Sequence, residues 1–234
     1  MLKNRINKYL RKSIITLMIF CSFLVLISTD TLGQDDYFQG IIEYSIEYEI
    51  KNQSISEENL KKYYGSKIIK KFSEGNIRDE YYNSDGLLVR ISILNLEKNQ
   101  YFIEYGGMDT VYYTDINKTD YTTTIEQLTD TNILNNNCWV IKSISIRDGN
   151  ESKSETVITK YYKSKDLRIN PDWFINYIDG GYDRIMKLAP GINVKSEYFN
   201  VDFTVIKRIV SSKKELVDSS EFEVELNRIL KKMN

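Results

Sequence analysis

Apolar and polar residues alternate along the sequence shortly after its amino-terminal region. Within residues 40–51, isoleucine or tyrosine occupies every second position from Ile42 onward, and glutamate, serine or lysine lies between them. Successive side chains of a strand point to opposite faces, so this pattern predicts a strand with one buried face. The apolar side chains of that face are Ile42, Tyr44, Ile46, Tyr48 and Ile50.

A short helix and then a series of strands are expected next. Residues 54–64 contain serines that can cap a helix, acids in the first turn, lysines near the end and then Gly65. From residue 66 to about residue 165, aromatic and β-branched runs alternate with turn signals. This pattern predicts an antiparallel meander, whose clearest strands are residues 101–105, 110–113, 139–147 and 156–162.

The segment from residue 171 to residue 188 carries the richest apolar set outside the strands. Asn170 and Pro171 predict a helix cap followed by proline in the first turn, and Gly180-Gly181 interrupts the pattern. Strand character returns at residues 193–210, whereas the tail from residue 219 fits either a strand or a helix. We expect the segment to cover the apolar face of the first strand, with any ligand between the two. The candidate ligand-binding residues are Trp173, Phe174, Tyr177 and Ile178.

These elements define the expected fold class, which is α+β and mainly β. One face of a large antiparallel sheet must be covered, and the few short helices are the available cover. The sequence therefore predicts a curved, half-barrel-like antiparallel sheet with short helices on its concave face.

The amino-terminal residues have the features of an export signal. Residues 1–13 hold five basic residues and no acid, and residues 14–27 form an apolar stretch that is shorter than the roughly 20 residues of a membrane-spanning helix. Thr31 and Gly33 suit a cleavage site before Gln34. We expect residues 1–33 to be a signal peptide and residues 34–234 to form a single β-rich domain, in the periplasm or outside the cell.

Charge and composition exclude several partners and chemistries. Removal of residues 1–33 takes away five basic residues and one acid, which changes the net charge from −1 to −5. This sign argues against nucleic acid and anionic membranes as partners. The sequence has no histidine, and Cys138 is the single cysteine after residue 33. We therefore expect no cofactor, no catalytic residue set, no metal site and no internal disulfide.

Three weaker patterns favour ordinary structural roles. Asp115, Asn117, Thr119 and Glu126 have the spacing of a calcium loop, but Asp120 occupies the position that needs glycine. Four tyrosine doublets would place one ring on each face wherever they lie in strands. Acids that flank the Gly180-Gly181 break could pair for acid–base catalysis, although a solvated helix end is the simpler interpretation. They are Asp172, Asp179 and Asp183.

Several short motifs resemble those of uncharacterised exported proteins of the GLPGLI-type family and its relatives. The motifs are an F-x-G-x-I-x-Y start, a cysteine that opens a strand in mid-chain, and a proline-glycine element before further strands. Their residues are Phe38, Gly40, Ile42, Tyr44, Cys138, Pro190 and Gly191. Residues 188–193 keep only the proline-glycine-isoleucine core of the signature. The resemblance implies a Gram-negative envelope location and a fold similar to the lipoprotein carriers, but no activity.

These observations together favour a non-enzymatic envelope protein that binds a hydrophobic or amphipathic ligand, or a partner protein. A hydrolase that uses carboxylates alone, and a purely structural or interaction protein of the envelope, are the alternatives. An apolar pocket would favour the first function, and two facing carboxyl groups in a cleft would favour the hydrolase.

Overall fold

The computed structural model describes residues 37–147, 155–225 and 227–233. The predicted signal peptide lies outside the described residues. Two α-helices, α1 (Glu57–Tyr64) and α2 (Tyr182–Leu188), accompany three 3-10 turns at Pro171–Phe174, Asp179–Gly181 and Ser219–Phe222. The twelve strands are β1 (Gly40–Ile50), β2 (Lys67–Ser73), β3 (Asn76–Tyr82), β4 (Leu88–Asn95), β5 (Gln100–Tyr105), β6 (Thr110–Asp115), β7 (Tyr121–Ile133), β8 (Asn136–Arg147), β9 (Glu155–Arg168), β10 (Gly191–Phe199), β11 (Phe203–Lys214) and β12 (Ile229–Lys232).

All twelve strands belong to one sheet, so the mainly β class is confirmed. The strand order is β12-β6-β5-β4-β3-β2-β1-β11-β10-β9-β8-β7. Two antiparallel meanders, β1 to β6 and β7 to β11, meet where β1 pairs with β11. The final strand, β12, adds to β6 in parallel. The antiparallel strands expected between residues 66 and 165 are present, but they do not form one continuous meander, because β6 and β7 do not pair and the series divides between them.

A short connection shows that the sheet is strongly curved. Strands β6 and β7 lie ten strand positions apart, which corresponds to about 48 Å in a flat sheet at the usual spacing. Residues 116–120 join them, and this length of chain reaches no further than about 20 Å. The two sides of the sheet must therefore curl towards each other.

The face of the sheet that carries Ile42, Tyr44 and Ile46 is called the inner face. All three side chains are buried, as the alternating pattern predicted. They belong to a core cluster that also contains Phe174 and Met186 from the segment after β9. The expected contact between this segment and the first strand is therefore confirmed, and burial of these apolar side chains stabilises the fold.

The cover over the inner face is more irregular than the sequence indicated. Asn170 accepts a hydrogen bond from the Asp172 amide and caps the 3-10 turn Pro171–Phe174, as expected, but no continuous helix follows. Gly180 and Gly181 both have positive φ, at 58° and 69°. Helix α2 begins directly after them. These conformations suit glycine and divide the segment into short turns.

Helix α1 has the predicted ends. The Ser56 side chain accepts a hydrogen bond from the Asn59 amide, and Gly65 follows the last turn with a φ of 101°. Leu60 is its buried residue. Within the described residues, no helix is long and apolar enough to cross a bilayer.

The carboxy-terminal segment covers part of the opposite, outer face. Phe222 is 3% exposed and packs with Ile93, Phe102 and Val111, which belong to β4, β5 and β6. The side-chain nitrogen of Asn95, Nδ2, donates a hydrogen bond to the main-chain carbonyl of Phe222 at 3.2 Å. The ambiguous tail is therefore a 3-10 turn that docks on the sheet, followed by the strand β12.

Two glycines of the sequence motifs lie against neighbouring backbone. A Cβ atom on Gly40 would be 2.0 Å from the Lys213 carbonyl oxygen, and one on Gly191 would be 1.9 Å from that of Ser164. Both strands approach their neighbours too closely for a side chain.

Candidate functional site

A cavity of about 240 Å³ lies at the end of the sheet beside α1. We call it the Tyr81 cavity. Strands β1, β3, β4, β10 and β11 contribute to it because residues at every second position face inward. Its lining residues are Ile46, Tyr48, Tyr64, Tyr81, Arg90, Tyr198, Asn200, Phe203, Val205 and Lys207.

The walls of the Tyr81 cavity are largely apolar and are held in place. The rings of Tyr48 and Phe203 meet edge to face, with centroids 6.1 Å apart. The Tyr48 hydroxyl donates a buried hydrogen bond to the Gly65 carbonyl at 2.8 Å, which fixes the end of α1. Burial raises the pKa of Tyr48 to about 12, so this hydroxyl keeps its proton. Tyr64 is 56% exposed and lines the cavity from α1.

Three polar side chains meet in the Tyr81 cavity. Lys207 Nζ donates to the Tyr81 hydroxyl at 3.4 Å, and the guanidinium carbon of Arg90 lies 3.7 Å from the centre of the Tyr81 ring. Burial alone would raise the pKa of Tyr81, but the positive charges of Lys207 and Arg90 outweigh it and lower the pKa below its ordinary value. Burial alone would lower the pKa of Lys207, but Tyr81, Tyr198 and the carboxylate of Asp79 raise it, so Lys207 remains charged.

A fully buried amine lies further along the inner face. Lys163 is 1% exposed, and its Nζ lies 3.3 Å from Asn193 Oδ1. Burial, and then the charge of Lys70, lower its pKa to about 7. Lys70 itself is neutralised by Asp79 at 2.8 Å. The inner face therefore combines apolar packing with one buried cationic residue, Lys163, and two half-buried ones, Lys207 and Arg90, which the sequence pattern did not predict.

The four predicted ligand-binding residues belong to the cover of the inner face. Phe174 is fully buried, Trp173 packs on the Phe72 ring at 6.1 Å between centroids, and Tyr177 packs on Tyr182 at 4.7 Å. Ile178 is 39% exposed. The Tyr81 cavity is lined by other residues. A ligand-binding role for these four residues stays a prediction.

The calcium-like pattern does not converge on one point. Asp115 pairs with Lys232 at 2.6 Å, and Asp120 pairs with Arg147 at 3.4 Å, in a polar cavity of about 470 Å³ that we call the Asp179 cavity. Glu126 lies in β7, where its register places it on the other face from Ile125, so it is directed away from this cavity. Among the residues that the structure describes, no three acidic or cysteine side chains are grouped as metal ligands would be.

The three acidic residues near the Gly180-Gly181 break lie in different structural elements, and no contact joins any two of them among the described hydrogen bonds. Asp179 lines the Asp179 cavity and accepts a hydrogen bond from Thr119 Oγ1 at 3.0 Å, and burial raises the pKa of its carboxyl group. Asp172 lies in the 3-10 turn that begins at Pro171, and Asp183 lies in the first turn of α2.

The cysteine and the tyrosine doublets have structural positions. Cys138 is fully buried, burial raises the pKa of its thiol, and its Sγ lies 3.3 Å from the Asn136 carbonyl. Cys138 therefore packs as a small buried side chain. The doublets in β3, β6 and β9 send one ring to each face, and Tyr81 and Tyr161 are the inner rings of β3 and β9.

Sequence reasoning missed the polar residues of the Tyr81 cavity. A signal was present, because Lys207 interrupts the alternating apolar series of Phe203, Val205 and Ile209 on the inward-facing side of β11. Lysine is rarely buried, so a break in a buried apolar series points to a side chain with a specific environment.

Comparison with known proteins does not assign the chain to a family. No protein-family model matches the chain, and a search of curated proteins finds no significant match. The resemblance to the GLPGLI-type family therefore stays a prediction.

Proposed function

We propose that this chain is a non-enzymatic exported protein that binds a small apolar or amphipathic molecule in the Tyr81 cavity. The observation that carries the proposal is a cavity of about 240 Å³ between the inner face and α1, with apolar walls and a few polar groups. Ligand pockets have this composition, and their usual volume of about 300 to 1,000 Å³ implies that the ligand here is small. In this proposal the inner face is the concave face of a half-barrel similar to the lipoprotein carriers.

A cavity-filling substitution tests this function. Val205 lines the cavity, so Val205→Trp should remove saturable binding of benzyl alcohol, as measured by isothermal titration calorimetry with protein expressed from the complete sequence. Val201→Trp is the matched control because Val201 is 92% exposed. The proposal fails if the wild-type protein shows no saturable binding, or if Val205→Trp binds the alcohol as well as the control does.

The same titration distinguishes the cavity from the predicted residues of the cover. If the ligand instead lies against Trp173, Phe174, Tyr177 and Ile178, then Trp173→Ala should weaken binding and Val205→Trp should not. The Gly180-Gly181 break would then be the place at which the cover opens.

Export is a separate part of the proposal. It is supported by the basic start, the apolar stretch and the small residues before Gln34. Amino-terminal sequencing of protein recovered from the periplasm or the medium should begin close to Gln34. Recovery of an intact Met1 end from the membrane fraction would contradict it.

A further inference from the structure

Two positive side chains of the Tyr81 cavity, Lys207 and Arg90, form no ion pair with a carboxylate in the described part of the chain, and Asp79 acts on Lys207 only from beyond ion-pair distance. Among the described residues, no carboxylate lies within ion-pair distance of Lys207 or Arg90, although fifteen such pairs involve other residues. The nearby carboxylate of Asp79 is paired with Lys70. Both side chains are half-buried, and even partial removal of an unneutralised charge from water costs free energy, so two such groups in one cavity require a physical reason.

Aromatic rings hold these cations in place, and the Tyr81 hydroxyl accepts one hydrogen bond from Lys207 at 3.4 Å. Lys207 Nζ lies 5.3 Å from the Tyr81 ring centre and 4.9 Å from that of Tyr198, within the range of a cation–π interaction. The Nε atom of Arg90 is buried and has no hydrogen-bond partner within the described residues. A buried donor of this kind favours a ligand that can accept its hydrogen bond.

The apolar lining of the cavity indicates which chemical groups a bound ligand should carry. Ile46, Phe203 and Val205 supply aliphatic and aromatic surface next to the two cations. A ligand that fits both the apolar surface and the two cations has an apolar body and a single negatively charged group that accepts hydrogen bonds. A carboxylate suits a guanidinium and an ammonium group because its two oxygens can accept from both.

We propose that the Tyr81 cavity selects a small organic acid, whose carboxylate binds between Lys207 and Arg90 and whose apolar part packs against Ile46, Phe203 and Val205. This inference rests on the proposed function because it assigns the ligand class of the same cavity. The Tyr81 and Tyr198 rings position Lys207, and the Tyr81 ring positions Arg90.

A pair of probes with the same ring tests the charge preference. Benzoate and benzyl alcohol are titrated by calorimetry into protein expressed from the complete sequence, and benzoate should bind at least about tenfold more tightly, the lower end of the effect of hydrogen bonds to charged groups. Lys207→Met and Arg90→Met should each weaken benzoate binding about tenfold and change alcohol binding less than about threefold. Lys207→Arg should retain most of the benzoate affinity, which guards against an effect of misfolding.

The control is Lys67→Met. Lys67 is exposed on the opposite face of the sheet and also lies over a tyrosine ring, that of Tyr82 at 5.4 Å, so its loss should leave both affinities unchanged. Equal affinity for the two probes would overturn the organic-acid inference and leave the proposed function standing. Binding of neither probe would contradict both, and tighter benzoate binding that survives both methionine substitutions would overturn the assigned residues.

Discussion

The Tyr44 hydroxyl donates a hydrogen bond to the main-chain carbonyl of Asn193 at 2.9 Å, although their strands are separated by β11 in the sheet. The hydrogen bond lies near two irregularities in the pairing of the strands. The β1–β11 register shifts between Glu43 and Tyr44, and β10 pairs with β11 only over Lys195–Phe199. The tyrosine therefore supplies a donor to a carbonyl that lies beyond this β10–β11 pairing.

Loss of this hydroxyl should destabilise the protein. Tyr44→Phe leaves the Asn193 carbonyl without its donor, and we expect the free energy of unfolding to fall by about 1 to 3 kcal/mol in urea denaturation. Tyr63→Phe is the control because Tyr63 is 66% exposed, and surface substitutions usually change stability by less than about 0.5 kcal/mol. A loss no larger than that of the control would show that the contact contributes little.

The contact between β10 and β9 should not tolerate a side chain at Gly191. Gly191→Ala would place a Cβ atom 1.9 Å from the Ser164 carbonyl oxygen, so the backbone must move. We expect a loss of about 3 kcal/mol in the same denaturation assay. Gly86→Asn is the comparison, since a Cβ at Gly86 meets no atom within 4 Å and asparagine tolerates its positive φ. Similar stability of the two variants would disprove the close approach.

Lys163 should make stability depend on pH. The pKa of its buried amine is about 7, against 10.5 for an ordinary lysine. Between these values the unfolded chain binds a proton that the folded chain does not. The Lys163 contribution to the free energy of unfolding therefore increases with pH, by about 1.4 kcal/mol per pH unit.

Substitution of Lys163 should remove this contribution. Lys163→Met should be more stable than the wild type near pH 7, and the difference should shrink as the pH rises towards 10.5. Urea denaturation across this pH range measures how the free energy of unfolding changes with pH in the wild type and in Lys163→Met. Lys67→Met, at an exposed position, should keep the wild-type slope. Parallel curves for Lys163→Met and the wild type would contradict the low pKa.

Docking of the carboxy-terminal turn should contribute to the stability of β4 and β5. Phe222→Ala removes a buried ring from the cluster with Ile93 and Phe102, and we expect a loss of about 3 to 5 kcal/mol. Hydrogen exchange should show faster exchange in both strands. Ile229→Ala serves as the control because Ile229 is 63% exposed. If protection of these strands is unchanged in Phe222→Ala, the turn does not support them.

Local patterns predicted the local structure well, because β1 alternates in sequence and its register keeps that alternation on two faces. The Ser56 cap and Gly65 likewise contain the information for the ends of α1. The irregular cover was harder to predict, since apolar spacing near Trp173 suits a helix, whereas Gly180 and Gly181 adopt left-handed conformations.

The candidate site and the sheet order depend on contacts between distant residues. Lys207 and Tyr81 are 126 positions apart, and the proximity of their side chains requires β1 and β2 to lie between their strands. No local pattern specifies that β11 pairs with β1 or that β7 forms an edge. Lys207 is half-buried on a largely apolar face, whereas lysines are mostly exposed, so composition alone assigns it to the surface.

The parallel addition of β12 to β6 makes the two borders of the sheet unequal. On one border, the last strand is four residues long and carries Lys231 and Lys232, features that oppose pairing with another chain. On the other, β7 has thirteen residues and, within the described chain, pairs on one side only, with β8. Two molecules could join through β7, but neither would then offer a second long border, so this type of association ends at a pair and does not extend into a fibre.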